Sequence, residues 1–134
     1  MVEEKIFFTN SNGDKLCGIL RKPSNETKSV TVLCHGFSSN KNSETNVKFA
    51  ERLETADIAN FRFDFFGCGE SGGAFEDTTL SEGVDNVLSA ISLMKQRGYR
   101  RIGLEGSSFG GTCSILAAAK THDITALALK SPVS

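Results

Sequence analysis

Apolar positions fall into two regimes along the chain. Up to residue 22, Ile6-Phe7-Phe8 and Leu16-Cys17-Gly18-Ile19-Leu20 flank the polar stretch Asn10-Ser11-Asn12-Gly13-Asp14. The Asn-Gly step in that stretch is a turn signal between two strands and predicts an N-terminal antiparallel hairpin. From Val30 onward, short apolar runs alternate with helical segments: Val30-Thr31-Val32-Leu33-Cys34, Ile58 to Phe63, Ile102-Gly103-Leu104 and Ile124 to Leu129. Runs of continuous apolarity are expected of strands covered on both faces.

Three helices fill the intervals. Glu44 to Thr55 sets Val47, Ala50 and Leu53 at helical spacing. Thr79 and Glu82 have the Thr-x-x-Glu spacing of a capping box, and Leu80, Val84, Val87, Leu88, Ile91 and Met94 follow on one face until Gly98. A third helix, from about Gly110 to Lys120, is rich in small residues, as suits close packing over a sheet. Strand and helix alternating in this way predict a three-layer αβα sandwich with a mainly parallel sheet. Neither a repeat nor a Pro/Ser-rich linker interrupts the 134 residues, which amount to one domain or part of one.

Composition narrows the function classes. Hydrophobic residues at 39 % and charged residues at 23 % are globular proportions, and no apolar run reaches the length of a membrane span. A formal charge of −1 with scattered Lys and Arg offers no footprint for nucleic acid or an anionic membrane. Cys17, Cys34, Cys68 and Cys113 stand far apart with no Cys-x-x-Cys pair, and only two histidines are on hand to complete a metal set, so no structural zinc site is expected. The acidic opening Met1-Val2-Glu3-Glu4-Lys5 is unlike a secretory signal, which makes the cysteines reduced, buried thiols and the expected compartment the cytoplasm.

The candidate chemistry lies at Gly106-Ser107-Ser108-Phe109-Gly110, between the apolar run Ile102 to Leu104 and the small-residue helix. A Gly-x-Ser-x-Gly placed between strand and helix is the setting of a nucleophile elbow: the turn is so sharp that side chains two residues either side of the serine would collide with its neighbours. Ser108 is the serine in that frame, whereas Ser107 has Glu105 and Phe109 at those positions. The competing reading, a glycine-rich phosphate loop, lacks both Gly-x-Gly-x-x-Gly and a Walker lysine. His35-Gly36-Phe37 gives independent support, because it follows the strand Val30 to Cys34, where a second oxyanion amide is housed.

On these residues, together with Phe61-Arg62-Phe63-Asp64-Phe65, Gly67-Cys68-Gly69-Glu70-Ser71-Gly72 and Gly111, the chain resembles the α/β-hydrolase superfamily over nearly its whole length. Within it the chain is most similar to small carboxylesterases of the cinnamoyl or feruloyl esterase type. The resemblance implies that Ser108 attacks an acyl carbonyl and that the backbone amides of Phe37 and Phe109 hold the oxyanion. Gly36, Gly106 and Gly110 then support the site, and His35 orients its loop rather than acting as base. The implied partner is a small acyl ester, with no cofactor; serine peptidases, thioesterases and acyltransferases share the same elements. Asp64 is read as a turn-stabilising carboxylate, Glu70, Glu76 and Asp77 as solvated loop charges, and His122 as a helix-end or surface histidine.

In that superfamily the acid and the histidine follow the serine, after strands beyond the sixth. The strands counted here end at Ile124 to Leu129 and Ser131-Pro132-Val133-Ser134. The expectation is therefore the N-terminal portion of a single hydrolase domain, lacking the C-terminal strands and two triad members and nearly inactive alone. The last strand would offer an edge for self-association or for a complementing chain. A non-catalytic binding module is the alternative.

Overall fold

The hairpin is built around its turn. In the computed structural model, which describes residues 2–130, Val2–Thr9 (β1) and Lys15–Lys22 (β2) pair antiparallel from Val2↔Lys22 to Thr9↔Lys15. Asn10 organises the loop: its Oδ1 accepts from the amides of Asn12 at 3.0 Å and Asp14 at 2.9 Å, and Gly13 takes a left-handed φ of 83°. Met1 and Ser131 to Ser134, the latter counted with the last strand in the sequence, lie outside the described residues.

Four parallel strands follow, Ser29–Cys34 (β3), Ala59–Asp64 (β4), Arg101–Ser107 (β5) and Ile124–Lys130 (β6). The sheet order is β1-β2-β4-β3-β5-β6, with β2 antiparallel to β4. Glu44–Thr55 (α1), Leu80–Gln96 (α2) and Phe109–Ala118 (α3) complete the predicted three-layer αβα architecture. The main core joins Val30, Val32, Phe61, Phe63, Ile102 and Leu104 of the sheet to α2 and α3. Alternate residues face α1 instead, as Asn60 shows by donating from Nδ2 to the carbonyl of Ala50 at 3.1 Å.

Both ends of α2 are specified locally. Thr79 Oγ1 accepts from the Glu82 amide at 3.1 Å, which is half of the expected capping box. The Glu82 carboxylate turns elsewhere, accepting from Asn10 Nδ2 at 2.7 Å and Asn86 Nδ2 at 3.2 Å. With Ser11 bound to Asp85, this seats the hairpin tip on the helix. At the other end Gly98, φ 94°, and Tyr99 donate to the carbonyls of Lys95 at 3.0 Å and Met94 at 3.2 Å, a Schellman ending.

β6 departs from expectation. Its continuous apolarity predicted cover on both faces, yet Leu127 and Leu129 are 41 % and 39 % exposed. Among the described residues β5 is its only neighbour, and Ile115 and Leu116 of α3 are exposed as well.

Candidate active site

Ser108 stands at the junction of β5 and α3 with φ 53° and ψ −118°, a conformation that serine adopts only where its surroundings impose it. The two glycines around it are required by space. A Cβ on Gly106 would lie 2.5 Å from the Gly110 carbonyl oxygen, and one on Gly110 would strike the carbonyls of Cys34 and His35. Gly110 thus lets the end of β3 lie against the elbow, which brings the His35-Gly36-Phe37 loop beside the serine. A Cβ on Gly36 would be 3.6 Å from Ser108 Cβ. The elbow is tied into the sheet by the Ser108 amide, which donates to the Lys130 carbonyl at 2.9 Å, and Phe109 supplies the first amide of α3. Beside these groups a cavity of about 170 Å³, bordered by Ser39, Ser43, Asn46 and Ser107, has room for a few waters.

His35 is buried and both ring nitrogens are engaged. Nε2 accepts from the Phe65 amide at 3.1 Å, so the ring proton sits on Nδ1, 2.7 Å from the Gly36 carbonyl. Burial lowers its pKa and keeps the ring neutral. His122 lies far off, at a surface groove with Lys28, Tyr99 and Arg100. The chain's two histidines are thereby both placed, and neither is set to take a proton from Ser108.

Aromatic rings connect the core to the site: Phe63–Phe65 at 4.9 Å, Phe65–Phe109 at 5.4 Å, Phe109–Phe37 at 5.6 Å and Phe37–Phe75 at 4.9 Å between centroids. Phe37 and Phe75 remain 57 % and 37 % exposed, an apolar surface on the Ser108 side of the sheet.

Asp64 is a turn-stabilising carboxylate, fully buried at the end of β4. Oδ1 accepts from the Lys41 amide at 2.7 Å, and Oδ2 accepts from Lys41 Nζ at 2.6 Å and the Glu70 amide at 2.9 Å. Gly69 is obligatory beside it, since a Cβ there would run into the carboxylate. Lys41 Nζ also reaches Glu70 at 2.8 Å, and Glu70 binds Lys5 at 2.7 Å. Glu70 is an exposed loop charge, as expected, but a paired one: hydrogen bonds from Lys41 and then Lys5 hold its pKa down to about 2. Burial alone would lower the pKa of Lys41, but its bonds to Asp64 and Glu70 prevail and raise it. Cys17, Asp64 and Glu70 have potential ligand atoms within 4.8 Å of one another, but the Lys41 ammonium already sits on both carboxylates in a cation's place. Sequence reasoning missed Lys41 altogether.

Glu105, three residues before Ser108, is buried with Oε2 unpartnered, and burial pushes its pKa up to about 7 against the opposing charge of Lys130. The four cysteines are free and buried, and desolvation raises all four thiols, as expected of packing residues.

Sheet order, strand–elbow–helix junction and apposed loop together define an α/β-hydrolase. Residues 25–134 match the family described as serine aminopeptidase, S33, and the chain belongs to that family. Among solved structures it is similar to Est1E from Butyrivibrio proteoclasticus with ferulic acid bound, at 31 % identity and TM-score 0.85, covering 91 % of this chain and 50 % of that one. It also resembles in fold the Pyrococcus furiosus esterase Pf2001, at 23 % identity and TM-score 0.88, covering 98 % and 52 %. Alpha/beta hydrolase GrgF from Penicillium sp. sh18 aligns at 22 % identity and TM-score 0.89, covering 98 % and 46 %. The chain spans about half the length of these structures. No curated protein matches it. Among the described residues no helix is long and apolar enough to cross a membrane.

Proposed function

We propose that this chain carries the nucleophile and oxyanion hole of a serine hydrolase acting on small carboxylic esters through an acyl-enzyme. The observation that carries the reading is Ser108 at φ 53° between Gly106 and Gly110, with the His35-Gly36-Phe37 loop closed against it. Ser108 Oγ attacks the acyl carbonyl, the alkoxide leaves as the alcohol with the proton given up by the serine, and water then hydrolyses the acyl-serine to the acid and free Ser108. The amides of Phe37 and Phe109 stabilise the oxyanion; one such donor is typically worth about 3 to 4 kcal/mol in the transition state. His35, Gly36, Gly106 and Gly110 support this geometry. The exposed rings of Phe37 and Phe75 favour an apolar or aromatic acyl group.

Since His35 is bonded through both ring nitrogens and His122 lines a separate surface groove, the triad base, and with it the acid that orients it, come from polypeptide beyond these residues. Residues 1–134 then form the N-terminal portion of one hydrolase domain, and the exposed edge and face of β6 are where further strands, a second copy or a complementing chain would join. Four buried thiols suit a reducing compartment such as the cytoplasm. The family description favours a second reading, hydrolysis of a peptide bond by the same serine.

Incubation with a fluorophosphonate probe tests the assignment. Slow labelling that mass spectrometry maps to Ser108, and that Ser108→Ala abolishes, is the expected result. Equal labelling of both proteins would refute it. Acylation of Ser108 by p-nitrophenyl acetate but not by an alanyl p-nitroanilide, read as a mass increase at Ser108, would favour ester over peptide, and the reverse would favour peptide.

A further inference from the structure

The loop that carries the Phe37 amide is pinned at two points, and both pins land on the end of β4. At the near pin His35 Nε2 accepts from the Phe65 amide at 3.1 Å. At the far pin the amide and ammonium of Lys41 close on the two oxygens of Asp64 at 2.7 and 2.6 Å. Between them runs Gly36 to Asn40, where Ser38 adopts a left-handed φ of 59°. A serine stays in that region only where its flanks over-determine it. Within this bridge the hydrogen bond from the Ser39 amide to the Gly36 carbonyl, 3.1 Å, keeps the turn tight around Phe37.

The far pin is chemically unusual. Lys41 sits in the polar stretch Ser38-Ser39-Asn40-Lys41-Asn42-Ser43, yet its side chain is 1 % exposed and Asp64 is fully buried. A lysine is taken out of water only where its charge is met and its donors are filled. Asp64 Oδ2 and Glu70 Oε1 do this here. The same Asp64 receives the Glu70 amide, and its own carbonyl accepts from Ser71 Oγ at 2.6 Å. One ion pair therefore locks the Phe37 loop to the glycine-rich loop that carries Phe75, the ring against which Phe37 packs.

We infer that Lys41 is a positioning residue: through the buried Lys41–Asp64 pair it fixes the strained Phe37–Ser38 segment so that the Phe37 amide points at the oxyanion of an acyl group on Ser108. This rests on the reading of Ser108 as nucleophile. It separates Lys41 from an ordinary stabilising ion pair, because the geometry it holds is needed only when charge develops on the acyl oxygen.

The test compares the 134-residue chain with Lys41→Met and with the double variant Lys41→Met/Asp64→Asn. The double variant leaves no uncompensated buried charge and retains an acceptor for the residue 41 amide, at the loss of the one that Asp64 Oδ2 gives the Glu70 amide. Phosphonylation of Ser108 by a fluorophosphonate is followed over probe concentration, alongside amide hydrogen exchange. The expected result in the folded double variant is a maximal labelling rate at least tenfold lower, with the probe's half-saturating concentration changed less than twofold. Exchange should be faster at residues 36–43 and unchanged in β5 and α2. A uniform loss of stability would instead speed exchange throughout and scale labelling with the folded fraction, and would overturn the assignment, as would an unchanged maximal rate. If the wild-type chain shows no labelling at Ser108, the nucleophile reading itself fails; exchange at residues 36–43 then decides alone whether the pair holds the loop, and unchanged exchange overturns it.

Discussion

The two faces of the sheet are built by different rules. Toward α2 and α3, Val30, Val32, Cys34, Phe61, Phe63, Ile102 and Leu104 are at most 1 % exposed and pack as one apolar cluster. Toward α1, the same strands present Asn60, Arg62, Asp64 and Glu105, and α1 answers with Asn46. The buried unpartnered atoms of the described residues, Asn46 Nδ2, Asn60 Oδ1, Arg62 Nε and Glu105 Oε2, belong to this second layer. Burial of apolar area stabilises without direction, whereas buried polar groups stabilise little and are costly when unpaired, but each fixes an angle. The apolar face holds the domain together, and the polar face, through Asp64 and Lys41, orients its loops.

The largest effect should come from breaking the apolar face. Phe61→Ala removes a fully buried ring in contact with Phe8 and Phe63, and should cost about 3 to 5 kcal/mol in urea denaturation. A loss below about 1 kcal/mol would mean that this face is not the main source of stability.

Next comes the pH dependence of the polar face. Glu105 titrates near 4.5 when solvated and near 7 in the fold, so the folded chain holds this proton more tightly. Its contribution is fully present below about pH 4.5, declines between pH 4.5 and 7, and is level above. Allowing for partial solvation, the decline should be on the order of 2 kcal/mol. Glu105→Gln should flatten it, as thermal melts at pH 5, 6, 7 and 8 would show; a variant that keeps the wild-type slope would assign the slope to another group.

The smallest change sharpens the comparison at the elbow. Ser108→Gly relieves the positive φ and should raise stability by roughly 1 to 2 kcal/mol while ending fluorophosphonate labelling. Ser108→Ala ends labelling as well, but leaves the backbone strained. Equal melting temperatures for the two variants would show that the elbow stores no strain.

What the sequence disclosed follows the same division. Continuous apolar runs marked β3 to β6, and the small residues after Ser108 marked α3, because burial leaves a compositional trace. The elbow was legible from Gly106, Gly110 and their place between strand and helix. Lys41 was not, since a lone lysine among serines and asparagines reads as solvent-facing and its partner Asp64 lies 23 residues away. The ion pairs that the exposed Glu70 makes with Lys41 and Lys5 were hidden for the same reason. The Glu82 carboxylate, expected back at Thr79, was claimed by Asn10, 72 residues distant. Cover on β6 was overestimated because apolar runs report a capacity to be buried, and Leu127 and Leu129 remain exposed.

The seating of the hairpin tip on α2 bears on the order in which the chain can be completed. β2, already paired with β1, finds its second sheet neighbour only when β4 exists, and Asn10 and Ser11 find their partners on α2 only when Glu82 and Asp85 exist. At about 5 to 20 residues per second of synthesis, the segment made first waits several seconds for its contacts. The N-terminal hairpin thus acts as a late clasp that closes over structure laid down after it, and its docking reports that the middle of the chain has folded.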